Sequence, residues 1–375
     1  MSLVLTRIQN IRANSNFDKF EYRPSRYGAL NAFMVQSEDP TGILTEELKQ
    51  KARTSIGNVL ETPVINYDAD ITIGSTRTLE IADSENTSKM IQITFATYAW
   101  GFTIAPAMYM NNEIGIQKDF ETKMMKYIYA FAKKLDETAL AALAANKTQV
   151  LKNKLLYDFS SNAINAKWSE RENVFGDLEV MMGANDFYGQ LHIVGDPGVE
   201  SIMRKLQQHG LYNDVNKQNE FGTKIVHLTN NIAANSGKYA QGYAVNAGSL
   251  GMLTRFERDC LLGTVSGDGH EWGIATLPLL NMPVGTYFYD SVGDYNAIAG
   301  AATSDMTRTR KEHYGFAVDV AFLTAYNSSP TTLASPILSF NISSENAVYA
   351  KPVVVVNSED SPVNTKAVGA GGMIN

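Results

Sequence analysis

Residues 116–143 read IQKDFETKMMKYIYAFAKKLDETALAAL, and the apolar spacing in this stretch decides the fold. Ile116, Phe120, Met124, Tyr127, Ile128, Phe131, Leu135, Ala139, Ala142 and Leu143 recur at intervals of three and four, as on one face of an α-helix. Asp119, Lys123, Lys126, Lys133 and Glu137 take the other side. Asp119/Lys123 and Lys133/Glu137 stand four apart, where opposite charges lightly support a helix. The predicted helix is roughly 45 Å long, several times the average, and a helix of that length serves as a strut.

Upstream, the pattern has period two. Tyr67, Ala69, Ile71 and Ile73 alternate with polar residues from Thr62 onward, giving a strand with one apolar face. A polar tip follows at Asp83, Ser84, Glu85, Asn86, Thr87 and Ser88. The chain returns through Ile91, Ile93 and Phe95, and then Tyr98, Trp100, Phe102 and Ile104. Apolar parity thus changes from odd to even, which demands a bulge or bend near Ala96 and Thr97. Ahead of all this, residues 1–61 read as an arm outside the core, carrying Arg7, Arg12, Arg23 and Arg26 and one short helix that Thr45 caps.

Downstream of the helix, residues 150–170 are polar and loop-like. Val174, Leu178, Met181 and Met182 mark a helix, residues 191–194 a buried strand, and Asp196-Pro197 the start of another helix that Gly210 ends. Short strands are expected at 224–228, 242–246 and 252–256, making the middle region α/β. Tyr314, Phe316, Val318, Val320 and Phe322 alternate over a strand ending at Asn327, and strands follow at 337–342 and 353–356.

The composition narrows the function. The 375 residues carry 32 basic and 39 acidic side chains, a net charge of -7, which argues against duplex binding through clustered Lys and Arg. Only 19% of residues are charged, against roughly 25% in an average chain, so much of the surface is left to Asn, Ser, Thr and Tyr, which suits broad subunit contacts. The single cysteine, Cys260, excludes an internal disulfide and a cysteine-based zinc site. The longest uninterrupted apolar run is 139–145, far short of a membrane span, and residues 1–12 hold no signal-peptide core.

Catalytic patterns are weak. His192, His209, His227, His270 and His313 lack metal-ligand spacing. Ser249 lies in Gly-Ser-Leu-Gly, a turn rather than a nucleophile elbow, and Gly267, Asp268 and Gly269 suit a hairpin turn. The adjacent carboxylates Glu46/Glu47, Asp136/Glu137 and Glu359/Asp360 read as exposed charge. No basic residue interleaves with Tyr98, Trp100 and Phe102, so packing is expected of them rather than base stacking. No catalytic, cofactor-binding or metal-ligating residue is assigned.

The order of arm, two-stranded excursion, very long helix, α/β middle and return strand resembles the major capsid proteins of tailed bacteriophages, the Hong Kong 97 fold. Residues 93–104 running into 120–143 resemble the returning strand of that family's extended loop and its spine helix. Residues 191–210 resemble its axial strand and helix, and 307–318 its last peripheral strand. The resemblance spans roughly 62–327. It implies an α+β fold with an N-arm (1–61), extended loop and adjoining strands (62–108), peripheral domain with spine helix (109–170), axial domain (171–300), return strand (301–329) and C-terminal extension (330–375). The extension, from Ser328 onward, is more than the minimal fold needs.

By the same resemblance, the chain is a virion shell protein and not an enzyme. It would assemble in the bacterial host cytoplasm into hexamers and pentamers, closing an icosahedral shell around double-stranded DNA held without sequence-specific contacts. Its partners would be itself, a portal, and scaffold or decoration proteins, with no membrane and no cofactor. An encapsulin-type nanocompartment enclosing protein cargo is the alternative. Some family members join a loop lysine to a neighbour's asparagine; Lys89, Asn357 and Glu359 supply those residue types, but the hydrated surroundings of Lys89 point to a non-covalent shell. Unassembled subunits should bind duplex DNA weakly at physiological salt, with any residual binding in the arginine-bearing arm. An electrophoretic shift that persists at high salt would contradict this.

Overall fold

The computed structural model describes residues 3–13, 26–40, 42–55, 57, 59–65, 88–109, 112–151, 157–185, 187–210, 224–235, 237–263, 269–294, 308–325 and 335–344. In chain order its elements are α1 (Leu3–Ala13), α2 (Gly28–Ser37), α3 (Glu46–Thr54), β1 (Val59–Ile65), β2 (Ser88–Thr94), β3 (Ala96–Ile104), α4 (Glu113–Ala145), β4 (Asp158–Ser160), β5 (Ala163–Ala166) and α5 (Val174–Gly183). They continue with β6 (Leu191–Gly195), α6 (Pro197–Gly210), β7 (Lys224–Leu228), β8 (Lys238–Asn246), β9 (Leu250–Arg255), α7 (Arg258–Leu262), β10 (His270–Thr276), β11 (Pro283–Asp294), β12 (Arg308–Thr324) and β13 (Ile337–Ser343). The strands form a two-stranded ribbon β1–β2, a sheet ordered β10–β11–β12–β3 with β9 also on β12, and a six-stranded sheet ordered β4–β5–β13–β8–β6–β7. The fold is α+β.

Helix α4 has 33 residues and is about 50 Å long. Asn112 caps it, its side chain accepting from Gly115 N at 3.2 Å. Its stripe is buried from Ile116 and Phe120 through Phe131 to Leu143, except that Tyr127, expected on it, is exposed at its margin and Ala142 is only half-buried. One half packs under the five-stranded sheet, where Phe102, Ile104, Tyr314, Phe316 and Val318 meet Phe120, Ile128 and Phe131. The other half packs Ala139 and Leu143 against Val194, Val245, Leu250 and Ile337 of the strands that continue the molecule. A third core, around Phe175, Ile193, Val199 and Phe340, lies between the six-stranded sheet and α5 and α6. The parity slip has a cause other than a bulge within one strand. The chain breaks pairing at Phe95, leaves the ribbon as β2 and enters the five-stranded sheet as β3. A strand that changes sheets also changes the face it buries.

Several expectations are corrected. Residues 1–61 are not merely an arm, because α1 and α2 bury Val4, Ile8, Ile11, Ala29, Leu30 and Phe33 in the cores. Arg7 is buried and donates to Glu312 at 3.2 Å, so it is not available to a phosphate. The Arg7 bond fastens α1 to β12, and Tyr314, on the same strand, donates to the same Glu312 oxygen at 2.6 Å and holds it in place. The sheets also cut across the expected segments. β9, β10 and β11, inside 171–300, belong to the sheet over α4, whereas β4 and β5, inside 109–170, belong to the six-stranded sheet. The extension from Ser328 is no surface appendage at residues 335–344. β13 sits between β5 and β8, with Leu338, Phe340 and Ile342 buried on one face and Ile337 on the other, because a strand covered on both faces suits a central slot. The expected strands at 67–73 and 353–356, the tip up to Thr87, and the turn residues Gly267 and Asp268 lie outside the described residues.

Asp136 is the largest departure, a fully buried carboxylate where exposed charge was expected. It lies on the stripe, four residues after Ala132 and three before Ala139. Helix α2 begins at Tyr27, which offers no side-chain cap, and Asp136 supplies one from α4, with Oδ1 accepting from Leu30 N at 3.0 Å. Its Oδ2 accepts from Thr229 Oγ1 at 2.6 Å and Asn231 Nδ2 at 2.8 Å, both just beyond β7. Burial raises its pKa, and the Thr229, Leu30, Asn231 and Ala29 bonds oppose that rise. Gly28 allows the approach, since a Cβ there would come within 2.6 Å of the His227 and Leu228 backbone.

Beside Asp136, Asn31 Nδ2 donates to His227 Nδ1 at 3.3 Å, which leaves His227 Nε2 to donate to His192 Nδ1 at 3.0 Å. Burial first, and then the neighbouring His192 ring, push His227 down to about 4. A depressed histidine favours the fold above its unfolded pKa and loses that contribution as pH falls through 6.5 towards 4, a drop of about 3 kcal/mol when complete. Asp136, with its raised pKa, works in the opposite sense. Melting temperature should therefore fall between pH 7 and pH 4.5 in the wild type and fall less in His227→Asn, by calorimetry; equal slopes would remove His227 from the acid response.

Candidate assembly surface at the root of the ribbon

The ribbon is built from complementary patterns in two segments. Val59 pairs with Thr94 and Ile65 with Ser88, so Leu60 lies opposite Ile93. Leu60, Ile93 and Phe95 bury against Leu44, Ala52, Leu253 and Ala321, and this small core fastens one end of the ribbon to α3, β9 and β12. Thr45 caps α3 as expected, accepting from Leu48 N at 3.3 Å. Lys51 Nζ then reaches from α3 to the Glu61 carbonyl at 2.6 Å, and Gln92 Nε2 donates to Glu61 Oε1 at 3.0 Å.

Arg255 is the centre of this root. It stands opposite Asp319 in the β9–β12 register, and its Nε and Nη2 donate to Asp319 Oδ2 at 3.1 and 2.9 Å. Nη1 donates to Ser55 Oγ at 3.2 Å and to the Gly57 carbonyl, in the turn between α3 and β1. Gly57 has φ +91, a conformation that favours glycine, and it presents that carbonyl inward. The guanidinium lies 4.5 Å from the centroid of the Phe95 ring. Thr97 Oγ1 donates to Asp319 Oδ1 at 2.7 Å, so one carboxylate holds both the last turn before the ribbon and the first residues after it. Val59 beside the root and Met90 further out are exposed on strands that pair only with each other among the described residues.

This constellation holds and presents a projection. Ser249, as expected, is a turn residue, its Oγ donating to the Asn246 carbonyl at 2.5 Å. Tyr98, Trp100 and Phe102 pack as expected, with Trp100 4.5 Å from the Phe131 ring and Phe102 5.4 Å from Phe120. His270 and His313 stand with Tyr287 and Tyr289 in a stacked row on the outer face of the five-stranded sheet. Burial pushes the Cys260 thiol up, away from reactivity. The side chains of Lys89 and His209, with Asn357 and Glu359, lie outside the described residues. The Arg255–Asp319 pair was missed in the sequence, although Asp319 is an acid set within the alternating run from Tyr314 to Phe322. Its partner emerges only once β9 is placed in register.

No family model matches the chain, and no curated protein matches it. Among solved structures, a chain from Mycobacterium phage Adephagia is 10% identical with a TM-score of 0.45, covering 92% of this chain and 99% of that one. A chain from Mycobacterium phage Cain is 9% identical with a TM-score of 0.45, covering 89% and 95%. A chain in the capsid structure of the cyanophage P-SCSP1u is 11% identical with a TM-score of 0.41, covering 78% and 85%.

Arg255→Met should free the ribbon root at a cost of about 3 kcal/mol, because Asp319 keeps only Thr97 as a side-chain partner. Limited proteolysis should then cut first between residues 54 and 65. Unchanged cleavage would show that the apolar contacts alone hold the root.

Proposed function

We propose that the chain is the major capsid protein of a tailed double-stranded DNA bacteriophage, a subunit that closes with copies of itself into an icosahedral shell. The observation that carries this reading is the asymmetry of the ribbon. Its root is buried and clamped, yet β1 and β2 pair with nothing else among the described residues and leave Val59 and Met90 in water. A two-stranded ribbon is marginal by itself. A neighbouring subunit would complete it, and contacts of that unlike-surface kind generate rings when the rotation closes.

The 33-residue helix supports the same reading, because it spans two cores and stiffens the subunit along its length. In this mechanism hexamers and pentamers gain strength from many modest contacts, and the acidic balance of the chain keeps packaged DNA from adhering. A portal, and scaffold or decoration proteins, would be the other partners, and the virion the place of residence. The sequence order of ribbon, long helix, α/β sheet and return strand is the order expected of the Hong Kong 97 type, with β13 added to the six-stranded sheet.

The test uses the register. Ile65 faces Ser88, so replacing residues 66–87 by Asn-Gly should close a tight hairpin and leave the root intact. The variant should be soluble and melt cooperatively but form no particles in electron micrographs, where the parent chain forms closed shells. Normal shells from the variant would overturn the proposal. Parent particles filled with a protein and free of DNA would favour the encapsulin reading instead.

A further inference from the structure

Two histidines lie side by side beneath α2. His192 on β6 and His227 on β7 are each 4% exposed, with ring centroids 5.3 Å apart and planes 11° from parallel. In the parallel β6–β7 register His192 stands opposite Ile225 and Val194 opposite His227, so both rings share the face that α2 covers. Gly28 shows how close that cover is, because a Cβ there would fall within 2.6 Å of the His227 main chain.

The two rings are joined through one hydrogen. Asn31 Nδ2 donates to His227 Nδ1 at 3.3 Å, and His227 Nε2 donates to His192 Nδ1 at 3.0 Å, so every link from α2 to β6 points the same way. The chain would also close in the other direction. His192 Nδ1 would then donate to His227 Nε2, and His227 Nδ1 to Asn31 Oδ1 once that amide turns over. One added proton, placed on His192, needs only this reversal. A second, placed on His227, sets N–H against N–H, and no exchange of hydrogens restores the bond.

We propose that this chain is an acid-operated latch between α2 and the six-stranded sheet, which the first proton reverses and the second releases. The surrounding groups set that order. Burial lowers the pKa of His192, and Asp39, just beyond α2, opposes the drop and draws the first proton there. Burial and then the His192 charge delay the second proton, on His227, to about 4. On α4, Asp136 is spent on Leu30, Thr229 and Asn231, and Oδ1 still accepts from Leu30 N when Oδ2 carries a proton. Tyr27, Tyr129 on α4 and Tyr243 on β8 are raised by burial and stay neutral in acid. Lys224 of β7 lies on the opposite face, paired with Glu179 at 3.4 Å. Two facing cations have to reach water, and α2 is the element in the way. Since α2 also packs on α4, its release loosens the joint between α4 and the six-stranded sheet.

The test is hydrogen exchange of the full-length chain, read as protection factors at pH 7 and pH 4. Residues 29–33 of α2 should lose about tenfold or more of their protection at pH 4, while residues 120–128 of α4, packed under the five-stranded sheet, keep theirs. His192→Asn retains an acceptor for His227 Nε2 and cannot take a charge, so its α2 should stay protected at pH 4. Three results would each overturn the proposal: unchanged α2 protection in the parent at pH 4, loss spread evenly over α2 and α4, or the same α2 loss in His192→Asn. Nitrogen-15 resonances of the parent's histidines give a second reading that needs no variant. His192 should take its proton before His227, and α2 exchange should rise only with the second step; a rise with the first would equally refute the latch.

Discussion

A carboxylate sealed from water has to be met by donors, and Asp136 is met from two directions at once. The backbone at the start of α2 approaches from one side and the polar residues beyond β7 from the other. Fully bonded, it joins the long helix to the sheet at its far end; stripped of either set of donors, it would leave buried polar oxygens that the surrounding apolar contacts could not answer. The consequence is geometric. The angle between α4 and the six-stranded sheet is set by hydrogen bonds with direction, rather than by apolar packing that tolerates sliding.

The molecule repeats this device at the root of the ribbon with the opposite sign. Arg255 gathers Asp319, Ser55 and Gly57 as Asp136 gathers Leu30, Thr229 and Asn231. By the N-terminal half of α4, Arg7 and Glu312 tie α1 to β12, an inner strand of the five-stranded sheet. Each buried charge sits where elements distant in sequence must hold a fixed angle. An assembling subunit needs such fixed angles, because an error in one junction is multiplied around a ring.

Periodic segments were legible from sequence. The stripe of α4, the alternation of β12 and the cap at Thr45 each depend on residues close together in the chain, and each formed as read except at Tyr127, which the stripe leaves exposed. What was not legible depends on partners brought from afar. Asp136 looks like half of an exposed acidic pair until α2 is docked, and α1 looks like an arm until Glu312 is placed opposite Arg7. The sheet memberships of β9, β10, β11 and β13 were hidden for the same reason, since alternation reveals that a strand buries one face without saying whose. The parity change before β3 was visible as a fault, but its meaning, a passage between sheets, required both partners. At the root of the ribbon the apolar residues were foreseeable and the Arg255 clamp was not.

The passage at Phe95 has a mechanical consequence. The chain runs without interruption from the ribbon into β3, which lies along β12 through nine paired positions. Tension applied to the ribbon is therefore directed along the axis of β3 and resisted by those pairs acting in parallel. Had the ribbon been attached through a loop at right angles, the same tension would open the pairs one after another, as a zipper opens. Shear of a paired strand takes far more force than peeling it, so a pull exerted at the ribbon is borne by the sheet as a whole, and the helix beneath spreads it along the body.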